Sequence, residues 1–154
     1  MSDAAPIGSS VLARIASAKS RGEFGSIASA VPYAQFMGIT LHIDADQLTT
    51  TMGFGPHLIG NPALPALHGG TLGALLETAA VFEVLYRGDP AAMRGLPKTI
   101  TFTVEYLRSA GPLDTFAQAT ITRIGRRVAN VSAVAWQNDR AKPVASANVL
   151  LMVG

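Results

Sequence analysis

The sequence changes character at His68-Gly69-Gly70, and the stretch that follows constrains the fold more than any other part of the chain. From Leu72 to Leu85, apolar residues recur at the spacing of a helix and also fill most of the positions between. A helix that is apolar nearly all round is a buried helix. The sequence therefore predicts a long helix inside the molecule, which begins at the two glycines and ends near Gly88.

This predicted helix carries a carboxylate, Glu77, near its middle. Burying an unpaired carboxylate costs several kcal/mol or shifts its pKa. The residues next to it on its own face of the helix are mostly very small: Gly70, Gly73, Ala74 and Val81. Such neighbours leave room for a ligand or for another backbone, so Glu77 is the main candidate for a functional residue. The alternative is a core acid paired with Arg108 or Arg123.

Alternation of apolar and polar residues predicts strands on both sides of this helix. The alternating stretches are residues 39–43, 48–54, 99–106, 116–124, 128–136 and 144–152. The first two flank a turn at Asp44–Gln47 and predict a hairpin, and the last four predict a meander. A sheet with one apolar face must cover it, and the buried helix is the only long element available. The prediction is an α+β fold in which an antiparallel sheet wraps around one central buried helix.

The part of the chain before residue 39 predicts short helices. Met1–Gly8 is predicted to be a tail, and Ser9 or Ser10 is a candidate cap for a first helix. A second helix is predicted from Ser26 to Phe36, with an interruption at its proline. Residues 55–67 contain three prolines and two glycines, a composition that predicts a loop.

Composition excludes several classes of protein. The 154 residues are 49% hydrophobic and 14% charged, which is typical of one globular domain with a sizeable core. Cysteine is absent, so disulfides, thiolate nucleophiles and cysteine-zinc sites are excluded. The net charge of +2 is too small to indicate nucleic-acid binding. Glycines and charged residues interrupt each apolar run before the ~20 residues that a membrane span needs. No secretory signal is visible either, so we expect a cytoplasmic protein.

Four motifs in the chain together resemble the hot-dog-fold acyl-CoA thioesterases, and most of all their PaaI-type branch. They are His68-Gly69-Gly70 with an acid nine residues after the histidine, Pro32-Tyr33 to Gly38-Ile39, Thr101–Ala110, and Arg123-Ile124-Gly125-Arg126. The resemblance implies a hot-dog domain at residues 31–154 after an N-terminal extension at residues 1–30. It also implies hydrolysis of an acyl-CoA to a carboxylic acid and free CoA, with Glu77 as nucleophile or general base. No metal is implied, and no cofactor apart from the CoA that belongs to the substrate.

The start of the predicted helix suits a developing negative charge. The first N–H groups of a helix lack internal acceptors and carry the positive end of the helix dipole, and glycine lets a carbonyl approach them closely. Gly69 and Gly70 therefore outline an oxyanion hole, and the resemblance implies that the N–H of Gly69 polarises the thioester. His68 has two interpretations. It is either a residue that fixes the loop before the helix, or a base.

The resemblance also indicates residues around the substrate. Asn61 resembles the family's Asn or Gln that orients water or the thioester. That residue usually stands six positions before the histidine, however, and Asn61 stands seven before it. Val81 follows the acid by one turn, where some relatives have a polar residue. We expect Gly70, Gly73 and Val81 to line the substrate.

Basic residues concentrate in the C-terminal half of the chain. Tyr106–Lys142 holds six basic and two acidic residues. Arg126 and Arg127 are the best candidates for binding the phosphates of CoA, because the guanidinium group pairs well with phosphate.

The spacing between Gly69 and Glu77 implies a second copy of the chain. Glu77 follows Gly69 by eight positions, which puts the two residues about 12 Å apart along one helix, whereas a nucleophile and an oxyanion donor must reach the same carbonyl. Two antiparallel helices across a twofold axis satisfy this requirement, so we expect a homodimer with shared sites. The resemblance implies that such dimers pair into tetramers. Two other functions remain open: a hydroxyacyl dehydratase that uses His68, and a non-catalytic acyl-CoA or lipid binder.

Overall fold

The computed structural model describes residues 7–154, with side chains from Val11 onward; the predicted tail falls largely on residues 1–6, which lie outside the described residues. The helices are α1 (Ile7–Ser20), α2 (Pro32–Phe36) and α3 (Gly69–Arg87), with short 3₁₀ helices at Phe24–Ala30 and Pro56–Leu58. The strands are β1 (Ile39–Asp44), β2 (Gln47–Met52), β3 (Ile59–Asn61), β4 (Ala66–Leu67), β5 (Lys98–Tyr106), β6 (Thr115–Ile124), β7 (Val128–Trp136) and β8 (Ala145–Met152).

Helix α3 is the central element, as the sequence predicts. Six antiparallel strands form one sheet in the order β1-β2-β6-β7-β8-β5, and α3 packs against five of them. The residues that α3 presents to the sheet are almost fully buried, among them Leu75, Leu76 and Ala80, each at 0% exposure. The predicted α+β fold, a sheet wrapped around a buried helix, is confirmed.

The predicted four-strand meander is wrong in one connection. Strands β6, β7 and β8 do form a meander, but β5 pairs with β8 and not with β6. Strand β6 instead pairs with β2 on its other side, so residues 107–114 carry the chain from the edge of the sheet across to its middle. Alternation in a sequence indicates which face of a strand is buried, but it contains no information about which strand lies beside it.

The predicted first hairpin is confirmed. Strands β1 and β2 pair from Ile39–Met52 to Asp44–Gln47. The two turn residues, Ala45 and Asp46, have φ angles of 46° and 63°. Two successive residues with positive φ are the mark of the type I′ turn, whose twist matches that of the strands it joins.

The N-terminal segment contributes to the same core as the rest of the chain. Leu12 and Ile15 of α1 and Phe24 and Ile27 of the first 3₁₀ helix are all buried. The 3₁₀ helix packs against β1, so closely that a Cβ added at Gly25 would lie 3.1 Å from the carbonyl oxygen of Leu41. The proposed domain boundary at residue 30 stays a prediction.

Two details of the predicted elements differ from the structure, and a third agrees with it. Helix α1 begins at Ile7, so Ser9 and Ser10 lie within it and not at its cap. The predicted second helix is divided at Pro32 into a 3₁₀ helix and α2, as expected. The predicted loop at residues 55–67 contains a 3₁₀ turn and the small β3–β4 hairpin.

The end of α3 is fixed to the β1–β2 turn by a group of polar side chains. Glu83 is only 6% exposed. It accepts a hydrogen bond of 2.8 Å from Nε of Arg87, whose Nη1 also donates to Asp46 Oδ2 at 2.6 Å. The hydroxyl of Tyr86 donates to Asp46 Oδ1 at 2.7 Å. The hydrogen bonds from Tyr86 and Arg87 hold the pKa of the Asp46 carboxyl below its ordinary value of 3.8. The ionised Asp46 therefore stabilises the fold above about pH 3.8, and this stabilisation is lost as the pH falls below that value through the lowered pKa.

Replacing Arg87 with alanine is expected to lower the free energy of unfolding by about 1–3 kcal/mol, because it leaves the buried Glu83 carboxylate without its partner. Urea unfolding at pH 7 measures the change. Arg94→Ala is the matched control, since Arg94 is exposed and makes no ion pair within residues 7–154. Adding Glu83→Gln to Arg87→Ala should recover part of the loss. Equal free energies of unfolding for Arg87→Ala and Arg94→Ala would show that the ion pair with Glu83 does not stabilise the fold.

Candidate active site

The start of α3 leaves one backbone N–H unbound. His68 is the N-cap residue, and its Nδ1 accepts a hydrogen bond of 2.8 Å from the N–H of Gly70. The carbonyl oxygen of His68 accepts from the N–H of Thr71 at 2.9 Å. No acceptor for the N–H of Gly69 is found within residues 7–154. This N–H therefore remains available at the positive end of a 19-residue helix.

The cap contact bears on the two interpretations of His68. Because Nδ1 accepts a hydrogen bond, the proton of the neutral ring lies on Nε2. The side chain serves as a helix cap in this arrangement, which agrees with the first interpretation, a residue that fixes the loop. A role as base through Nδ1 would require that the bond to Gly70 be broken.

Tyr106 supports the helix start and was not singled out from the sequence. Its hydroxyl donates a hydrogen bond of 2.9 Å to the carbonyl oxygen of Gly69. A Cβ added at Gly69 would lie 3.1 Å from Cζ of the tyrosine ring. Glycine at this position therefore lets the last residue of β5 pack directly against the first turn of α3. The sequence shows Tyr106 only as one member of an alternating strand, and its contact with Gly69 depends on the fold.

Glu77 lies in the wall of a cavity. The cavity has a volume of about 650 Å³ and lies between α1, the first 3₁₀ helix and α3. The carboxylate makes no hydrogen bond or ion pair with residues 7–154. Neither arginine suggested as its partner binds it: Arg108 donates to the carbonyl oxygen of Pro143 at 2.8 Å, and Arg123 is exposed on β6.

The prediction that Glu77 is buried requires a correction. In the single chain the side chain is half-buried, and the buried acid of α3 is Glu83. The reason is that the sheet covers only one side of the helix. A partly exposed stripe remains on the other side, formed by Gly70, Ala74, Glu77, Thr78 and Val81.

Gly73 belongs to the covered side of the helix. It is buried, and a Cβ added there would lie 3.5 Å from the ring of Phe102 on β5 of the same chain. Val81, in contrast, lines the cavity beside Glu77. Of the residues expected to contact substrate, Val81 and Gly70 therefore lie on the open stripe, and Gly73 packs against the sheet.

Asn61 lies at the end of β3, in the hairpin that precedes α3. Its Oδ1 accepts a hydrogen bond of 3.0 Å from the N–H of Ala63, so the side chain closes the β3–β4 turn. The hairpin is attached to the helix start through the N–H of His68, which donates to the carbonyl oxygen of Leu58 at 2.8 Å. The predicted role of Asn61 at the site stays a prediction.

Arg126 and Arg127 are exposed in the turn between β6 and β7. Their turn lies at the end of the sheet where Val128 pairs with Met152, whereas Tyr106, which touches Gly69, pairs with Ala145 at the opposite end. The nine residues of β7 span about 27 Å. The two arginines are therefore far from the helix start of their own chain.

Residues 7–154 contain no cluster of three or more His, Asp or Glu side chains arranged to hold a metal ion. No helix in the same part of the chain is both long and apolar enough to cross a membrane.

A long helix packed against a six-stranded antiparallel sheet that wraps around it defines a hot-dog-fold protein. Residues 60–152 match the family model described as the acyl-CoA thioesterase N-terminal domain. Because this match covers more than half of the chain, the chain belongs to the acyl-CoA thioesterase family. None of the curated proteins matches the sequence.

Solved structures agree with this assignment. A protein from Chromobacterium violaceum is 34% identical, with 92% of this chain and 97% of that one covered and a TM-score of 0.74. The phenylacetic acid degradation-related protein of Ralstonia eutropha JMP134 is 27% identical, with 90% and 98% covered and a TM-score of 0.71. A Bacillus halodurans protein crystallised with CoA is 19% identical, with 99% and 97% covered and a TM-score of 0.70, and this likeness concerns the fold alone.

Proposed function

We propose that the protein hydrolyses an acyl-CoA to a carboxylic acid and free CoA, with Glu77 as nucleophile or general base and the N–H of Gly69 as oxyanion donor. The observation that carries the proposal concerns two groups on one helix: a carboxylate in the wall of a mainly apolar cavity, and a first N–H, neither of which has a partner among the described residues. Membership in the acyl-CoA thioesterase family supports it, and the Ralstonia relative is consistent with the PaaI-type branch.

Two routes to the same products suit a carboxylate. In the first, a Glu77 oxygen attacks the thioester carbonyl, the C–S bond breaks, CoA leaves as a thiolate that takes up a proton, and water hydrolyses the resulting anhydride. In the second, Glu77 accepts a proton from a water molecule as that water attacks the carbonyl; the C–S bond then breaks, and the departing CoA thiolate takes up the proton from Glu77. In both, the carbonyl oxygen becomes negative, and the N–H of Gly69 with the positive end of α3 stabilises it. Neither route uses a metal ion or a further cofactor.

The proposed site requires two chains. Gly69 and Glu77 are about 12 Å apart along α3, so the two groups that act on one carbonyl come from different copies. Two α3 helices packed antiparallel across a twofold axis bring Gly69 of one chain to Glu77 of the other.

The free edge of the sheet agrees with this arrangement. Strand β5 is nine residues long and has no neighbouring strand from residues 7–154 on its outer side, and Ile100 on it is 54% exposed. The pairing of dimers into tetramers and the cytoplasmic location stay predictions.

The antiparallel arrangement gives Arg126 and Arg127 a place near the substrate. They lie at the end of the sheet where α3 ends. In the proposed dimer this end of one chain lies beside the start of α3 in the other. The arginines of one chain would then approach the CoA bound at the Gly69 of its partner. The CoA in the Bacillus halodurans relative is consistent with such a ligand.

Replacing both Arg126 and Arg127 with alanine is expected to raise KM for CoA thioesters about tenfold and to affect pantetheine thioesters, which lack the nucleotide phosphates, much less. Steady-state kinetics with the two substrate types measures the difference. The pantetheine thioesters are the internal control, because they lack the nucleotide phosphates. Equal losses with both substrate types would show that Arg126 and Arg127 do not bind the phosphates.

A thiol-release assay with a panel of acyl-CoAs tests the proposed function and separates it from its two rivals. Release of CoA from any member supports the thioesterase. Loss of enoyl-CoA absorbance without thiol release would indicate a hydroxyacyl dehydratase, whose required histidine is here engaged with Gly70. Binding without either reaction would indicate a non-catalytic acyl-CoA binder.

A further inference from the structure

The cavity beside Glu77 is built largely from the N-terminal segment. Three of its walls come from α1, from the first 3₁₀ helix and from the second half of α3. The apolar side chains that line it include Val11, Ile15, Ile27, Val81, Phe82 and Leu85. Its volume of about 650 Å³ lies within the ~300–1,000 Å³ that is usual for small-molecule sites.

The position of Glu77 indicates which part of a thioester the cavity would hold. The group that acts on the carbonyl must lie within a few ångströms of the carbonyl carbon, and the acyl chain begins at that atom. From Glu77 the lining continues along α3 through Val81 to Leu85, which is about 12 Å of helix. The cavity is mainly apolar, although Arg14 and Arg21 also line it. Because it starts at Glu77 and leads away from the helix start, it suits the acyl group, while the helix start is left for the thioester and CoA.

We infer that the N-terminal segment forms the specificity wall of an acyl-group site, and that this site takes apolar alkyl or aryl acyl groups longer than acetyl. The inference rests on the proposed thioesterase function. The matched family region begins at residue 60, so α1 and the first 3₁₀ helix lie outside it. The wall therefore lies outside the matched family region, and it sets the length of acyl group that fits.

Filling the cavity from this wall tests the inference. Ala30 is the last residue of the 3₁₀ helix, lines the cavity and is exposed, so Ala30→Phe adds bulk there without displacing a buried side chain. We expect kcat/KM for dodecanoyl-CoA to fall more than tenfold while that for butanoyl-CoA changes less than twofold. Ala13→Phe is the matched control, because Ala13 is exposed on α1 outside the cavity lining. It should change neither value.

A second variant acts in the opposite direction. Val11 lines the cavity and is half-buried. Val11→Ala should raise the ratio of kcat/KM for a longer acyl-CoA to that for a shorter one by about fourfold for each methylene-sized space that the smaller side chain opens. Circular dichroism confirms that each variant is folded. If Ala30→Phe does not fold, the Val11→Ala result decides the question.

Binding measurements separate this inference from the proposed reaction. Non-hydrolysable S-butyl-CoA and S-dodecyl-CoA, titrated calorimetrically, should show the same change of length preference as the kinetics. If the parent protein binds these probes with the expected preferences but hydrolyses no acyl-CoA, the proposed thioesterase function is excluded and the inferred acyl site is supported. Equal effects of Ala30→Phe on short and long probes would overturn the acyl site. The inference would also be overturned if Ala30→Phe dissociated the dimer in sedimentation while the preference between short and long probes stayed unchanged. That result would mean that a second copy of the chain, and not an acyl group, fills the cavity.

Discussion

Glu77→Ala is expected to lower thioester hydrolysis about a thousandfold, while the free energy of unfolding changes by less than about 1 kcal/mol. The side chain is half-buried and makes no hydrogen bond or ion pair with the described residues. Its removal therefore breaks no contact that holds the fold. The measurements are kcat by thiol release and stability by urea unfolding.

Two further variants make this prediction specific. Glu77→Gln keeps the shape of the side chain and removes the charge, so it should be as inactive as Glu77→Ala and at least as stable as the parent. Thr78→Ala changes the next residue along α3, which also lines the cavity, and should retain most of the activity. Hydrolysis by Glu77→Ala within tenfold of the parent would exclude Glu77 from the mechanism.

Mixing two inactive variants is expected to restore about a quarter of the parent's activity. The variants are Glu77→Ala and Gly69→Pro. Proline removes the N–H of Gly69 and is tolerated at the first position of a helix. The preceding residue already has the extended conformation that proline requires, since His68 has φ of −64° and ψ of 133°. Loss of one oxyanion donor lowers kcat about 100- to 1,000-fold.

The recovery follows from the arrangement of the two sites. In a mixed dimer, one site combines the intact Glu77 with the intact Gly69, and the other carries both defects. Random mixing makes about half of the dimers mixed, each with one of its two sites intact. Demonstrated mixed dimers without recovered activity would mean that Glu77 and Gly69 do not share a site across chains.

Gly69→Ala is the control for the proline variant. It places the same Cβ 3.1 Å from the ring of Tyr106 but keeps the N–H. Tyr106 is 55% exposed and can move by the few tenths of an ångström required. We therefore expect Gly69→Ala to retain far more activity than Gly69→Pro. Equal losses in the two variants would assign the effect to crowding against Tyr106 and not to the missing N–H.

Local patterns were sufficient to predict the elements of the fold but not the order of its strands. The apolar run after His68-Gly69-Gly70 predicted α3, which begins at Gly69 and ends at Arg87. The partner of β5 could not be predicted, because its pairing with β8 is set by the route of residues 107–114 and by packing on α3. The start of α1 was also missed, because Ser9 and Ser10 lie within this helix and not at its cap.

The candidate site was predicted where one helix contains it and was missed where distant segments meet. Glu77 and the glycines occupy one helix, so their spacing could be read directly from the sequence. Tyr106 lies 37 positions after Gly69, and its contact with that residue exists only once β5 is beside α3. The wall formed by α1 was missed for the same reason. Glu77 was predicted to be buried and is half-buried. The reason is that a helix that is apolar on nearly all sides is not necessarily covered on all sides by its own chain.

The packing of the first 3₁₀ helix on β1 determines how far the sheet can grow. The carbonyl oxygen of Leu41 points away from β2 towards Gly25, so this helix blocks the outer edge of β1 against another strand. The opposite edge, β5, is left open by the part of the chain that the structure describes. A sheet with two open edges can add copies without end and form a filament. With a single open edge, the addition of one copy leaves no edge free, so assembly by strand pairing stops at two chains.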